Sequence, residues 1–262
     1  VKKKIYIIKI GGHIIDDASR LQEFLTAFAA LGEYRILVHG GGKLATRLAG
    51  DLGIPQQMVE GRRITDAETL RIVTMVYAGL VNKSIVASLQ GHRCNAIGLS
   101  GADGDLIRSD QRGAGALDYG FVGDVKRVNA GLLGHLIENG YTPVIAPITH
   151  DGKGQLLNTN ADTIAQETAT ALAEQYEVCL VYAFEKKGVL ADVDDEDSAI
   201  PRLDPGAYER YRSEGRISAG MIPKLDNAFS AIRAGVHQVI IGKADELGSL
   251  VCGDAGTTLT HA

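Results

Sequence analysis

The chain predicts an α/β fold organised on a mostly parallel sheet, and three observations carry that prediction. The first is the run Ile5-Tyr6-Ile7-Ile8-Lys9-Ile10, nearly continuous in apolar side chains, as a strand buried on both faces requires. The second is the return of short apolar runs at 35–39, 95–99, 143–148, 177–183 and 237–242, separated by segments with helical spacing. The third is punctuation: Gly11-Gly12 follows the first strand and Gly40-Gly41-Gly42 the second, each just ahead of a helix.

Bulk properties bound the function. A chain of 262 residues, 45% hydrophobic and 23% charged, can bury the core of one large α/β domain or of two lobes sharing a sheet. A net charge of −5 argues against nucleic acid as partner, and any anionic substrate must be drawn by local positive charge. Cys94, Cys179 and Cys252 are scattered in or beside apolar runs without metal spacing, so reduced core thiols of a cytoplasmic protein are expected. No apolar run reads as long enough to span a membrane, and the first strand begins almost at the first residue, leaving no room for a leader. No membrane partner is expected.

Lys9 interrupts the first strand one residue before its end. A buried lysine needs a partner, so its ammonium is expected off the strand tip, in the crevice where open α/β sheets bind ligands. Gly11-Gly12 beside it can turn backbone N–H groups toward an anion, which suggests a phosphate site. The competing reading is a snorkelling lysine beside an ordinary turn.

Leu21, Phe24, Leu25, Phe28 and Ala29 predict a helix over about 17–31. Gly40-Gly41-Gly42-Lys43 then opens a helix carrying Leu44, Leu48 and Leu52, again the arrangement that binds anions. Gly40, Gly42 and Ala45 also fit a dinucleotide fingerprint, but one match is weak, the acidic residue it needs is missing, and no Walker A motif occurs. Residues 58–64, with Gly61-Arg62-Arg63, predict a short hairpin over the sheet. Thr65 or Asp66 caps a helix carrying Leu70, Val73 and Tyr77, and a further helix covers about 81–90. Residues 100–105 and 108–117 read as irregular, 119–128 as a hairpin centred on Gly123-Asp124, 132–137 as a helix, and 143–148 as one buried strand.

The stretch Leu157-Asn158-Thr159-Asn160-Ala161-Asp162-Thr163 crowds two asparagines and an aspartate at one helix start. A single asparagine suffices as a cap. Either the rest is redundant capping, or Asn160 is the cap and Asn158 and Asp162 face a site. Lys186-Lys187-Gly188-Val189-Leu190 turns away from the strand at 177–183, and the acidic run 192–197 reads as a solvated loop. Pro223 falls in the first turn of a helix entered through Ile217-Ser218-Ala219-Gly220-Met221. Lys224 then sits beside the positive end of the helix dipole, which is better explained if an anion is bound there. Residues 256–259 close an edge of the sheet.

The informative residues are thus two lysines at element ends, an aspartate at a helix start and several glycine turns. The sequence holds no credible nucleophile–histidine pairing, cysteine cluster or paired-histidine zinc motif, so no protein metal site is expected. His39, at the tip of the second strand, is either a base or, more commonly for such a residue, a locally hydrogen-bonded core histidine. Positioned cations without a base suit phosphoryl transfer, where charge stabilisation is most of the protein's work.

On particular stretches the sequence resembles the amino acid kinase family, and within it the N-acetyl-L-glutamate kinases of arginine biosynthesis. They are Lys9-Ile10-Gly11-Gly12, Val38-His39-Gly40-Gly41-Gly42, Arg63-Ile64-Thr65-Asp66, Val81-Asn82-Lys83 within 75–86, and Gly98-Leu99-Ser100-Gly101. Further on come Gly120-Phe121-Val122-Gly123, Val144-Ile145-Ala146-Pro147, Asn158-Thr159-Asn160-Ala161-Asp162 and Gly220-Met221-Ile222-Pro223-Lys224-Leu225. No single stretch is decisive; their number and order are, from Lys9 to about Ile241.

The resemblance implies an αβα sandwich with a central, mostly parallel sheet. It implies one domain over 1–262, with a substrate lobe of about 1–174 and a nucleotide lobe of about 175–262. It implies transfer of the γ-phosphate of ATP, with Mg2+ bound mainly through the nucleotide phosphates, to the side-chain carboxylate of N-acetyl-L-glutamate. By position, Lys9 and Lys224 would stabilise the transferring phosphoryl group and Asp162 would hold both lysines. Gly41, Gly42, Arg63 and Asn158 would bind substrate. Gly11, Gly12, Glu185, Lys186, Gly188, Val189, Leu190, Ile217 and Ser218 would surround the nucleotide. A glutamate side chain, with a pKa near ~4.3, is already an ionised nucleophile at neutral pH, so no general base is needed.

Two departures stand out. Phe184-Glu185-Lys186 replaces the Thr-Asp-Val usual in relatives, and His13, Lys43 and Arg62 stand where relatives usually carry apolar or small residues. Three basic groups gathered near the substrate would repel unless an anion lay between them, which keeps N-succinyl-L-glutamate as an alternative to the leading acetyl substrate. A catalytically inactive amino-acid sensor on the same fold is the rival from another class. A homodimer insensitive to arginine is expected, because arginine-inhibited relatives carry an extra N-terminal helix and only residues 1–4 precede the first strand here.

Overall fold

The computed structural model describes the chain except for Glu33, Glu60, Gly61, Ala114, Ala116, Val193, Ser218, Ala219, Gly220 and Ala262, and except for the side chains of Arg62 and Pro223. Its strands, in chain order, are β1 (Lys3–Ile10), β2 (Tyr34–His39), β3 (Gln57–Val59), β4 (Arg62–Ile64), β5 (Ala96–Leu99), β6 (Ile107–Gln111) and β7 (Gly123–Val128). They continue with β8 (Thr142–Ile145), β9 (Ile148–His150), β10 (Leu156–Asn158), β11 (Tyr176–Phe184), β12 (Arg202–Leu203), β13 (Gln238–Lys243) and β14 (Thr257–Leu259). The buried runs assemble into an eight-stranded sheet in the order β12-β14-β13-β11-β1-β2-β8-β5. From β13 to β5 every pairing is parallel, and β14 joins β13 antiparallel.

Side-chain alternation along β1 sorts the core into two layers. Ile5 and Ile7 pack with Ile36, Val38 and Leu180 beneath the helices Ala161–Leu172 and Ile222–Arg233, which contribute Ile164, Leu172, Leu225 and Phe229. Tyr6, Ile8 and Ile10 pack on the opposite face with Leu37, Val181, Phe24, Phe28 and Ile85. Each fully buried isoleucine contributes on the order of 1.5–3 kcal/mol, so the sheet is anchored from both sides. The result is the expected αβα sandwich. Lys9 shares the parity of Ile5 and Ile7, so it lies under the helices that begin at Ala161 and Ile222.

Several local expectations need correction. The helices predicted around 66–77 and 81–90 are one, Ala67–Gly91, whose middle, Thr74–Val81, is π-helical. The wider π turns shift the phase of the apolar stripe, which makes one helix look like two. By length and composition this helix could span a membrane, contrary to the expectation that no apolar run was long enough; here its Ile72, Val73, Val76, Ile85 and Leu89 belong to the core.

Residues 108–111, read as part of an irregular loop, belong to β6 (Ile107–Gln111). It pairs antiparallel with β7, from Ile107↔Val128 to Gln111↔Gly123, inside a second sheet ordered β10-β9-β6-β7. Gly123 therefore starts a strand and does not turn a hairpin. The run 143–148 is split: β8 stays in the main sheet, while Ile148 begins β9 in the second one. β14 is not the sheet edge, because β12 pairs outside it. Cys94 and Cys179 are buried thiols as expected, but Cys252 is exposed. The hairpin at 58–64 forms as β3–β4, with the predicted Gly61 outside the described residues.

Candidate active site

The tip of β1 and the first turns of two helices converge. Asn160 caps the helix Ala161–Leu172, its side chain accepting from the N–H groups of Asp162 at 2.7 Å and Thr163 at 3.3 Å. With the cap supplied by Asn160, the Asp162 carboxylate is free to reach sideways. Its Oδ1 lies 2.7 Å from Lys9 Nζ, and its Oδ2 accepts a hydrogen bond from Lys224 Nζ at 2.9 Å. Burial alone would raise the Asp162 pKa; Lys9 and Lys224 outweigh it and hold the carboxyl at about 2. Side-chain exposures of 15% for Lys9, 21% for Asp162 and 30% for Lys224 leave the cluster open to a ligand on one side. Two cations share one anion, so the cluster carries a net positive charge. Tyr182, level with Lys9 in the neighbouring strand, donates its hydroxyl to the Asp162 carbonyl at 3.4 Å and lies beneath the Lys224 ammonium.

The tip of β2 is built on glycine. Gly41 has φ +153°, and a Cβ there would stand 2.9 Å from the Tyr77 ring, so only glycine fits the turn. Arg63, from the β3–β4 hairpin, is 8% exposed and donates to the Gly42 carbonyl at 3.0 Å, to Thr46 Oγ1 at 2.9 Å and to Gln56 Oε1. It ties the hairpin to the glycine turn. Asn158, at the end of β10, donates to Thr65 Oγ1 at 3.0 Å, so it stands beside the helix start that Asp66 caps. His39 follows the local reading: it is fully buried and hydrogen-bonded to Gly40 and Asn82.

The residues expected around the nucleotide divide. Gly11 and Gly12 begin the short helix Gly12–Ile15 at the tip of β1. Glu185 is exposed, and Lys186 pairs with Glu196 at 3.0 Å. Gly188 and Val189 press against β14, where the Val189 N–H donates to Thr257 Oγ1 at 2.8 Å and a Cβ on Gly188 would meet that same oxygen. The side chains of Val189 and Ile217 are core, 1% and 5% exposed, and the Val189 carbonyl also accepts from the Ile200 N–H at 2.9 Å; Leu190 bridges to Ala199, and Ser218 lies outside the described residues. The acidic run is more than a solvated loop, since Glu196 and Asp197 clasp Lys186 and Lys187.

The basic group near the glycine turns is also resolved differently from its expected mutual repulsion. Lys43 Nζ lies 3.2 Å from His13 Nδ1, a contact that suits a neutral imidazole accepting from the ammonium, and Asp16 Oδ2 is 3.9 Å away. His13 and Lys43 therefore need no intervening anion. The Arg62 side chain lies outside the described residues.

Comparison with known proteins shows the family. The amino acid kinase family profile matches residues 4–243, nearly the whole chain. This chain belongs to the amino acid kinase family. Among its relatives, an acetylglutamate kinase from Phocaeicola vulgatus is 59% identical over 247 residues, covering 94% of this chain and 96% of the relative. An acetylglutamate kinase from Cytophaga hutchinsonii is 58% identical, covering 95% of each. The crystal structure of carbamate kinase from Giardia lamblia bound to AMP-PNP superposes with a TM-score of 0.71 over 100% of this chain and 99% of that one, at 12% identity, which speaks for the fold alone.

Sequence reasoning missed several supports in this amino acid kinase. Tyr182 sits in an apolar strand and reads as core, which it also is, at 3% exposed. Gln56 and Thr46 hold Arg63 from positions that carry no motif, and Tyr77, read as a helix-face residue, closes on the glycine turn. Asn82 was visible in the Val81-Asn82-Lys83 stretch, but nothing there pointed to His39 as its partner.

Proposed function

We propose that this amino acid kinase transfers the γ-phosphate of ATP to the side-chain carboxylate of N-acetyl-L-glutamate in arginine biosynthesis, giving an acyl phosphate. One observation carries the reading: Lys9 and Lys224 are held by a single carboxylate, Asp162, and all three side chains stay partly exposed. Charge that builds on the transferring phosphoryl oxygens meets two ammonium groups already in place, with no reorganisation at the moment of reaction. Asp162 keeps them together against their own repulsion and, with a pKa of about 2, stays ionised throughout the physiological range. The acceptor carboxylate is its own nucleophile, and the buried His39 is not required as a base.

Gly41 and Gly42 would hold the substrate with backbone N–H groups, Asn158 would bind it beside them, and Arg63 would shape the site through the turn it fixes. The ATP phosphates would meet Gly11 and Gly12, with the nucleotide lying along 185–190 and 217–218 in a C-terminal lobe from about 175. Among the described residues no group of three or more His, Cys, Asp or Glu gathers to hold a metal, and both Asp162 oxygens are engaged by lysines. Mg2+ would therefore ride on the nucleotide phosphates, where it supplies charge neutralisation. A cytoplasmic homodimer is the matching assembly; Met75 and Leu80, 53% and 60% exposed on the helix Ala67–Gly91, support an apolar contact there.

The test is ADP release with N-acetylglutamate, free glutamate and N-succinylglutamate in parallel. N-acetylglutamate should give the highest kcat/KM. ADP release no faster with it than without an acceptor would reject the reading, and a preference for N-succinylglutamate would reassign the acyl group.

A further inference from the structure

His39 ends β2 at 0% exposure, a buried titratable side chain that phosphoryl transfer does not use. Its two ring nitrogens have different partners. Nδ1 lies 2.8 Å from the Gly40 carbonyl oxygen, which can only accept, so Nδ1 carries the proton. Nε2 lies 3.1 Å from Asn82 Nδ2. The Asn82 amide cannot be turned round, because Nδ2 also donates to the Val144 carbonyl at 2.9 Å while Oδ1 accepts from Lys83 Nζ at 3.2 Å. Nε2 is therefore an acceptor, and the imidazole is neutral in one tautomer. Burial, with the Lys83 charge nearby, pushes its pKa down to about 4 against the opposing pull of the Gly40 hydrogen bond.

Lys83 is itself anchored on the Gly98 carbonyl at 3.0 Å, and a Cβ on Gly98 would fall 2.0 Å from Asn82 Oδ1. The network thus runs through the tips of β2, β8 and β5 and the helix Ala67–Gly91, with no room for a side chain at Gly98.

The consequence falls on the peptide between Gly40 and Gly41. It is trans, as are all the described peptide bonds, so its N–H points opposite to its carbonyl. Pinning the Gly40 oxygen onto His39 turns the Gly41 N–H away from the imidazole. From another side the Tyr77 ring and Val81 close on Gly41, where a Cβ would stand 2.9 Å and 3.4 Å from their nearest carbons.

We propose that His39, locked by Asn82 as the Nδ1–H tautomer, is a positioning residue that aims the Gly41 N–H at a carboxylate of the acyl amino acid. The proposal rests on the reading of Gly41 and Gly42 as the substrate-binding turn. Asn82 and Lys83 act one step further back, by denying the imidazole its other tautomer.

Two substitutions separate the roles of the nitrogens. Asparagine places its amide nitrogen about where Nδ1 lies, and glutamine about where Nε2 lies. His39→Gln should raise KM for N-acetylglutamate about tenfold, with kcat and KM for ATP little changed, whereas His39→Asn should stay within about threefold of the parent. Equal KM for the two variants, or loss of kcat and both KM values in step with a fall in Tm, would overturn the proposal in favour of a merely structural histidine. A measurement on the unsubstituted protein covers a variant that fails to fold. In 15N-histidine spectra, His39 should hold the Nδ1–H tautomer from about pH 8 to 5, and the Gly41 amide should shift when N-acetylglutamate is added. An Nε2–H tautomer, or a Gly41 amide unmoved at saturating ligand, would overturn it. The tautomer needs no turnover to be read, so its failure is distinguishable from failure of the acetylglutamate assignment.

Discussion

Asp162 holds a negative charge between two ammonium groups, and the proposed role turns on where it leaves them. Asp162→Asn keeps the size and removes the charge, so Lys9 and Lys224 repel with no shared anion. A fall in kcat of roughly a hundredfold is expected in steady-state assays. Because the carboxyl is held at about 2, kcat/KM should stay flat between about pH 6 and 8, with no ionisation from Asp162 there. His39 gives a second pH signature, in stability. Its folded pKa of about 4 lies below the ordinary 6.5, so the unfolded chain takes up a proton first as pH falls. The contribution is fully present above about pH 6.5 and is lost progressively toward pH 4, by up to about 3 kcal/mol. Urea denaturation of the parent and of His39→Asn should show this acid-side slope only in the parent. At this scale the sequence was informative where chemistry is unusual: a lysine in a buried strand, an aspartate beside a surplus of caps, a lysine at a helix N-terminus. It was silent where the same atoms serve packing too. Tyr182 looks like any strand residue until its hydroxyl is seen at the Asp162 carbonyl.

Among the elements, the helix Ala161–Leu172 shows how a cap becomes part of a site. Asn160 takes the N–H groups that Asp162 could otherwise cap, so Asn160→Ala should cost about 1 kcal/mol in chemical denaturation. It should also lower kcat about threefold to tenfold, as Asp162 loses its fixed starting point. Little change in kcat would separate the cap from the site. The strand, glycine turn and helix units around β1 and β2 were readable because each has its own signal: an apolar run, a breaker, a 3.6 period. β6 was not, because Ile-Arg-Ser-Asp-Gln buries only Ile107 and Ser109 and looks like a loop without its partners. The π-helical section was hidden for a different reason: spacing reports the phase of a stripe and cannot tell a wide turn from a chain break.

For the whole molecule, the parity of one strand decides which charged side chains meet. Ile5, Ile7 and Lys9 share a face, and the two helices packed on Ile5 and Ile7 both begin over Lys9. That layering was legible in the alternation of elements; the meeting of Lys9 with Asp162 and Lys224, residues far apart in the chain, needed the folded structure or the family resemblance. The assembly is testable in solution. Light scattering should report a dimer, and Leu80→Glu should shift it toward monomer, because a charge in an apolar contact is costly unless paired; an unchanged dimer would place the contact elsewhere. The most direct test of the phosphoryl-transfer account is kcat for Lys224→Ala with saturating ATP and N-acetylglutamate. A loss of roughly a hundredfold or more is expected, with KM for both substrates within about threefold of the parent. A near-normal kcat would contradict it.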